Sequence, residues 1–184
     1  MRLESICVRY GEKRVLDGFT ADFGPGITCI VGPSGFGKTT LLHTIAGLVK
    51  PESGQIVDGP ARAALMFQDD RLFPWMSALQ NVAVVCGDEA RARQALDAVE
   101  LADEADSRPE TLSGGMRRRV ALARALAYGG DMLLLDEPIK GIDLPLIERL
   151  VPLIRACSVP VLCATHGPEE QALLGGDVLA LDRL

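Results

Sequence analysis

The chain has 184 residues, enough for one domain with a substantial core, and its 48% hydrophobic and 24% charged content is that of an ordinary globular protein. A net charge of −6 argues against a general nucleic-acid binder. The apolar runs fall short of the roughly 20 residues a membrane-spanning helix needs, and Met1-Arg2-Leu3-Glu4-Ser5 lacks an apolar export signal.

Residues 3–31 read as strand-rich. Leu3, Ile6 and Val8 lie in an extended stretch, and Gly11-Glu12-Lys13 is turn-like. Gly24-Pro25-Gly26 punctuates before Ile27–Val31, a continuous apolar run typical of a buried parallel strand. Leu41, Leu42, Ile45 and Leu48 share one face of a predicted helix over 38–48, stopped by Gly47 and Pro51. Short strands are predicted at 55–57 and 63–67. Residues 70–128 become mainly helical, with amphipathic helices over 88–101 and 116–127. Alternation then resumes: strand 132–135, helix 145–157, strand 159–164, short helix 168–174 and strand 178–181. This order predicts one α/β domain spanning 1–184, with a parallel core sheet and a helical insertion at about 70–128. Five cysteines without a Cys-x-x-Cys spacing read as reduced structural side chains of a cytoplasmic protein. Two histidines are too few and too far apart for a histidine metal site.

The segment Gly32-Pro33-Ser34-Gly35-Phe36-Gly37-Lys38-Thr39 fits the G-x-x-x-x-G-K-[ST] phosphate loop between a strand and a helix, and Thr40 continues it. Its glycines let backbone N–H groups turn inward toward phosphate oxygens, and the helix N-terminus adds partial positive charge. Lys38 is expected to reach the β- and γ-phosphates and the Thr39 hydroxyl to ligate Mg²⁺. Met132–Leu135 then delivers Asp136 and Glu137 to the carboxyl end of a buried strand, where open α/β sheets bind ligands. Asp136 is the candidate for the Mg²⁺ shell and Glu137 for polarising an attacking water. His166 also falls at a strand's carboxyl end and is a functional candidate, whereas His43 reads as a packing or helix-surface residue.

A second phosphate-binding feature lies 80 residues beyond the first loop: Leu112-Ser113-Gly114-Gly115-Met116, opening a basic helix. Ser113 is a candidate N-cap, and the turn's donors could clamp an anion. Arg117, Arg118 and Arg119 oppose the dipole in the first turn, so an acidic neighbour is expected to compensate them, with at least one simply solvated.

Taken in order, these segments resemble, essentially end to end, the nucleotide-binding subunit of an ATP-binding-cassette (ABC) transporter. The resemblance implies a P-loop NTPase fold of ABC type, with a mainly parallel core sheet, an N-terminal antiparallel β region and a helical subdomain. Tyr10 resembles the aromatic that stacks on adenine. In Met66-Phe67-Gln68-Asp69, Gln68 resembles the glutamine that touches Mg²⁺ and the attacking water. Leu112–Met116 resembles the signature, Gly141-Ile142-Asp143 the loop that crosses between subunits, and His166 the switch histidine. In the family, two domains pack head to tail and each ATP lies between one phosphate loop and the partner's signature. Ser113, Gly114 and Gly115 are therefore expected to serve a partner's ATP. Implied partners are a second copy or paired ATPase subunit, integral membrane permease subunits and a substrate-binding protein, with the chain peripheral on the inner face of the membrane. Asp70-Arg71-Leu72-Phe73-Pro74-Trp75 resembles importers for nitrate, sulfonates, taurine or thiamine-like compounds.

Four positions depart from the family pattern: Met116 for Gln, Lys140-Gly141-Ile142-Asp143 for Ser-Ala-Leu-Asp, Phe36 at a usually small position, and Gly167 where Asp is common. An active but slower ATPase is the expectation, and the end of the chain soon after His166 suggests no C-terminal regulatory domain. The rival readings are a soluble ABC-type ATPase of an assembly or regulatory complex, and a small-molecule phosphotransferase. The latter leaves the Ser-Gly-Gly turn and His166 without a role.

Overall fold

A computed structural model describes residues 1–181. The elements in chain order are β1 (Arg2–Tyr10), β2 (Lys13–Asp22), β3 (Ile27–Val31), α1 (Lys38–Ile45), β4 (Ser53–Val57), β5 (Ala63–Met66), α2 (Ala78–Cys86), α3 (Glu89–Ala98), α4 (Gly114–Tyr128), β6 (Met132–Asp136), α5 (Leu144–Arg155), β7 (Val161–Ala164), α6 (Pro168–Leu174) and β8 (Asp177–Ala180), with a 3₁₀ turn at Ala102–Glu104. They fall into two compact units. One holds Met1–Leu65, Gly130–Asp136 and the residues from Cys157 onward; the other holds Met66–Gly129 and Glu137–Ala156.

In the first unit, β1 pairs antiparallel with β2 on one side and β4 on the other. The second sheet runs β5-β6-β7-β3-β8, with β6, β7, β3 and β8 mutually parallel. Strands β6 and β7 are buried along their whole length, which is why Met132–Leu135 and Val161–Ala164 read as unbroken apolar runs. Leu41, Leu42 and Ile45 of α1 join Leu134, Leu162 and Ile30 in one core. Each such side chain contributes about 1.5–3 kcal/mol by leaving water. Register aligns the strand ends that carry candidate site residues: Asp136 pairs with Ala164, and Ala164 with Ile30. The carboxyl ends of three strands of this unit therefore lie side by side, at Asp136 and at the residues leading into Thr165-His166 and Gly32.

Helix α1 is shorter than its apolar spacing predicts. Gly47 takes φ 73° and the Leu48 N–H donates to the His43 carbonyl at 2.9 Å, a left-handed close that ends the helix and leaves Leu48 58% exposed. Strand β2 is an element that the turn-rich pattern near Gly11 and Gly18 does not delineate.

In the second unit, α2, α3 and α4 pack on one another. Each has a side-chain N-cap. Ser77 forms a reciprocal capping box with Gln80, Asp88 accepts from Arg91 N–H, and Ser113 Oγ accepts from Met116 N–H at 3.2 Å. Helix α2 was not separately visible in the sequence. It is anchored by Asn81, fully buried, whose side chain accepts from the Phe73 N–H at 2.7 Å and donates to the Phe73 and Met76 carbonyls, each at 3.1 Å. That amide holds the 73–77 loop and with it the exposed Phe73–Trp75 pair, whose ring centres lie 5.5 Å apart.

Candidate functional site

The first unit builds a candidate phosphate cradle. Gly32, Gly35 and Gly37 take φ of 152°, 83° and 94°, curling the chain between β3 and α1. Gly37 is tightly boxed: a Cβ there would meet Val15 Cγ1 at 3.0 Å in a backbone conformation that L-residues avoid. Lys38 is 6% exposed and curls its ammonium back into the loop, donating to the Gly32 carbonyl at 2.5 Å and the Pro33 carbonyl at 3.2 Å. Pro33, Ser34 and Gly35 are exposed at the rim, Phe36 is half-buried, and Thr40 is buried at the start of α1.

The Thr39 hydroxyl donates to Asp136 Oδ2 at 2.6 Å, bringing residues 97 positions apart into one oxygen pair. A hydroxyl and a carboxylate are the hard donors that Mg²⁺ takes when phosphates supply the rest of its shell. With Lys38 and the inward-curled loop, these residues fit a Mg²⁺–nucleotide. Beside the loop lies a cavity of about 540 Å³ lined by Lys13, Arg14, Val15, Leu16, Ser34 and Phe36, among others. Arg14 Nη1 donates to both carboxylate oxygens of Asp17, at 3.0 and 2.8 Å, which holds the Asp17 carboxyl below its usual range. Tyr10 ends β1 half-exposed, paired in register with Lys13. His166 is exposed in the bend after β7, where its backbone N–H donates to Glu170 Oε2 at 3.4 Å.

The second unit holds the other candidates. Glu137 has φ 54°, a left-handed conformation costly for a non-glycine residue, and is 2% exposed. Arg118, Gln68 and Lys140 help to hold it there. Arg118 donates to the Glu137 carbonyl from Nε at 3.1 Å and Nη2 at 2.6 Å. Gln68 Nε2 donates to Oε1 at 3.3 Å, and Lys140 Nζ to Oε2 at 2.7 Å. Arg118 Nη1 also donates to the Phe67 and Gln68 carbonyls at 3.0 and 2.8 Å and to Asp70 Oδ1 at 3.1 Å. One buried guanidinium thus ties the segment carrying Gln68 to the backbone of Glu137.

The three arginines of α4 meet the sequence expectation only in part: Asp70 is the acidic neighbour of Arg118, while none of the three is simply solvated. Arg117 donates to the Leu112 carbonyl, Arg119 to the Val99 and Glu100 carbonyls, and Arg118 mainly to carbonyls with Asp70 as its carboxylate. Backbone oxygens in turns, invisible to a charge count, take most of the load. Of the candidate clamp, Ser113 and Gly114 are exposed and Gly115 faces the Gly141 carbonyl, 3.4 Å from where a Cβ would sit. Asp143 is exposed at the N-cap of α5, with no side-chain cap bond. Arg118, Asn81 and Lys140 are contributors that sequence reasoning did not single out for these roles. Nothing in the spacing of the three arginines tells which of them is buried.

A family model described as ABC transporter matches residues 16–140. The aliphatic sulfonates import ATP-binding protein SsuB 1 of Paraburkholderia xenovorans (strain LB400) is 43% identical, over 99% of this chain and 57% of its own length. SsuB 2 of Pseudomonas syringae pv. syringae (strain B728a) is 41% identical, over 98% of this chain and 69% of its own. The chain thus spans well under the full length of these relatives. Among solved structures, the ATP-binding cassette MJ0796, in a dimeric post-hydrolysis state bound to ADP and Pi, is similar with a TM-score of 0.86 and 26% identity, over 98% of this chain and 93% of that one. A match over residues 16–140, joined to relatives above 40% identity and a phosphate loop paired with a strand-end aspartate, settles the family: the chain belongs to the ABC transporter family.

Proposed function

We propose that this chain binds and hydrolyses Mg²⁺–ATP as one half of a head-to-tail pair, and that the cycle drives solute import through separate membrane permease subunits. The observation that carries the reading is the Thr39–Asp136 contact at 2.6 Å, which joins the end of the phosphate loop to the end of β6. Lys38 and the backbone N–H groups of the 32–40 segment, Pro33 excepted, would bind the phosphates, and Tyr10 would stack on the base. Thr39, Asp136 and Gln68 would hold Mg²⁺, which supplies charge neutralisation on the phosphate oxygens. Glu137 would accept a proton from water as that water's oxygen bonds to the γ-phosphorus and ADP departs, with His166 at the same phosphate. Ser113, Gly114, Gly115 and Asp143 would complete the site of the second copy.

Import is supported by the names of the sulfonate relatives and by the exposed Phe73–Trp75 pair, an apolar anchor of the kind partner surfaces need. Permease subunits would hold the chain at the inner membrane face; among the described residues no helix is long and apolar enough to cross a membrane. Steady-state ATP turnover tests the chemistry. Glu137→Gln should lower kcat by roughly 10²- to 10⁴-fold, the usual worth of a general base. Wild-type turnover no higher than that of Glu137→Gln contradicts the reading.

A further inference from the structure

The carboxylate assigned as the base is already engaged. Glu137 is 3% exposed at its side chain, and its Oε2 accepts a 2.7 Å charge-assisted hydrogen bond from Lys140, whose own side chain is 59% exposed. The pair spans three residues, outside any helix. It exists because Glu137 turns through positive φ and the Lys140 N–H closes on the Glu137 carbonyl at 3.3 Å. Arg118 pins that same carbonyl and Gln68 takes Oε1. The backbone of Glu137 is therefore fixed from the buried side, while Oε2 is held by a long, flexible, solvent-facing ammonium. An ammonium against a carboxylate oxygen occupies the lone pair and the space that a water would need at Oε2.

We propose that Lys140 is a positioning residue that restrains Glu137 and so acts as a built-in brake on hydrolysis. The carboxylate accepts a proton from water only when the ammonium has swung out to solvent, and the exposure of Lys140 lets it do so without disturbing the core. This rests on Glu137 being the base.

The test is steady-state ATP turnover of the full chain, resolved into kcat and KM, for the wild type and for Lys140→Met, Lys140→Gln, Lys140→Arg and Glu137→Gln. Loss of one partly exposed ion pair should raise kcat of Lys140→Met and Lys140→Gln roughly two- to fivefold, with KM for ATP unchanged. Lys140→Arg, which keeps the charge, should stay at the wild-type rate. Two results overturn the brake: both neutral variants turning over at or below the wild-type rate, or Lys140→Arg matching the neutral variants. If Glu137→Gln is inactive in either case, the base assignment stands and the brake alone fails. If Glu137→Gln retains wild-type turnover, the base assignment fails and takes the brake with it.

Discussion

Replacing Arg118 with Met removes the guanidinium that joins the segments carrying Gln68 and Glu137 while keeping most of the apolar stem. The residue is 5% exposed and its guanidinium makes contacts of 2.6–3.1 Å with the carbonyls of Glu137, Phe67 and Gln68 and with Asp70 Oδ1. Hydrogen bonds to a charged group contribute about 1.5–3 kcal/mol each when measured singly, but five on one group do not add. The better guide is the cost of breaking a buried ion pair from one side, about 3–5 kcal/mol, because the stranded carboxylate and carbonyls must find water. Asp70 is 24% exposed at its side chain, so it rehydrates in part and favours the lower end. At roughly 2–4 °C per kcal/mol for a chain this size, the expected fall in Tm is on the order of 10 °C. Lys at the same position restores charge but cannot reach both segments at once, and should recover less than half of the loss. Urea titration followed by circular dichroism gives the midpoints, and ATP turnover of the folded variant gives the second readout. Turnover should fall further than stability explains, since Gln68 and the backbone of Glu137 lose their common tie. A destabilisation below about 1 kcal/mol, with turnover intact, would refute the claim that Arg118 organises these segments.

Four further outcomes follow from named contacts. Asn81→Ala should cost about 2–3 kcal/mol by stranding the Phe73 and Met76 backbone groups, and should alter the fluorescence of Trp75, the chain's single tryptophan; an unchanged spectrum counts against the tie between Asn81 and that loop. Ser113→Ala should lower urea stability by about 1 kcal/mol through loss of the cap to Met116 N–H, while Ser113→Gly costs a few tenths. Asp136→Asn should weaken Mg²⁺-dependent ATP binding, read by calorimetry with and without the metal, while leaving metal-free nucleotide binding nearly unchanged. The fourth concerns pH. The Arg149 hydrogen bond holds the Glu100 carboxyl below its ordinary value, against a smaller opposing effect of desolvation. Because the folded value is the lower one, the pair's stabilisation is present above the ordinary glutamate range and is lost as pH falls through the depressed value. Urea midpoints of Glu100→Gln should therefore converge on those of the wild type as pH drops through that window, and high salt should narrow the gap at neutral pH.

The phosphate loop and the Asp136-Glu137 pair were readable because strand, loop and helix each carry their own local pattern, and both glycine spacing and apolar runs survive in one dimension. Strand β2 was not delineated because its pairing with β1 shifts register between Leu3 and Ile6 and again between Ile6 and Val8, which spoils the alternation a strand reading depends on. Helix α1 overran in the reading because Leu48 continued the apolar spacing past the residue where Gly47 reverses the chain. The arginine run misled for a different reason. Apart from Asp70, which pairs with Arg118, its partners are carbonyls, among them those of the turns at Glu100 and Glu137, both at positive φ, and no charge pattern records them. Lys140 was read as a departure from the family pattern, but its contact with Glu137 depends on a backbone reversal that spacing alone does not reveal.

The central claim is that this chain is half of a site, and it meets its most direct test in solution mass. Glu137→Gln, which should bind ATP without consuming it, is measured by multi-angle light scattering with Mg²⁺–ATP and without nucleotide. The account predicts a monomer without nucleotide and a doubled mass with ATP, abolished by Ser113→Arg in the signature turn. A mass that stays monomeric at saturating ATP, with nucleotide binding verified on the same sample, contradicts it.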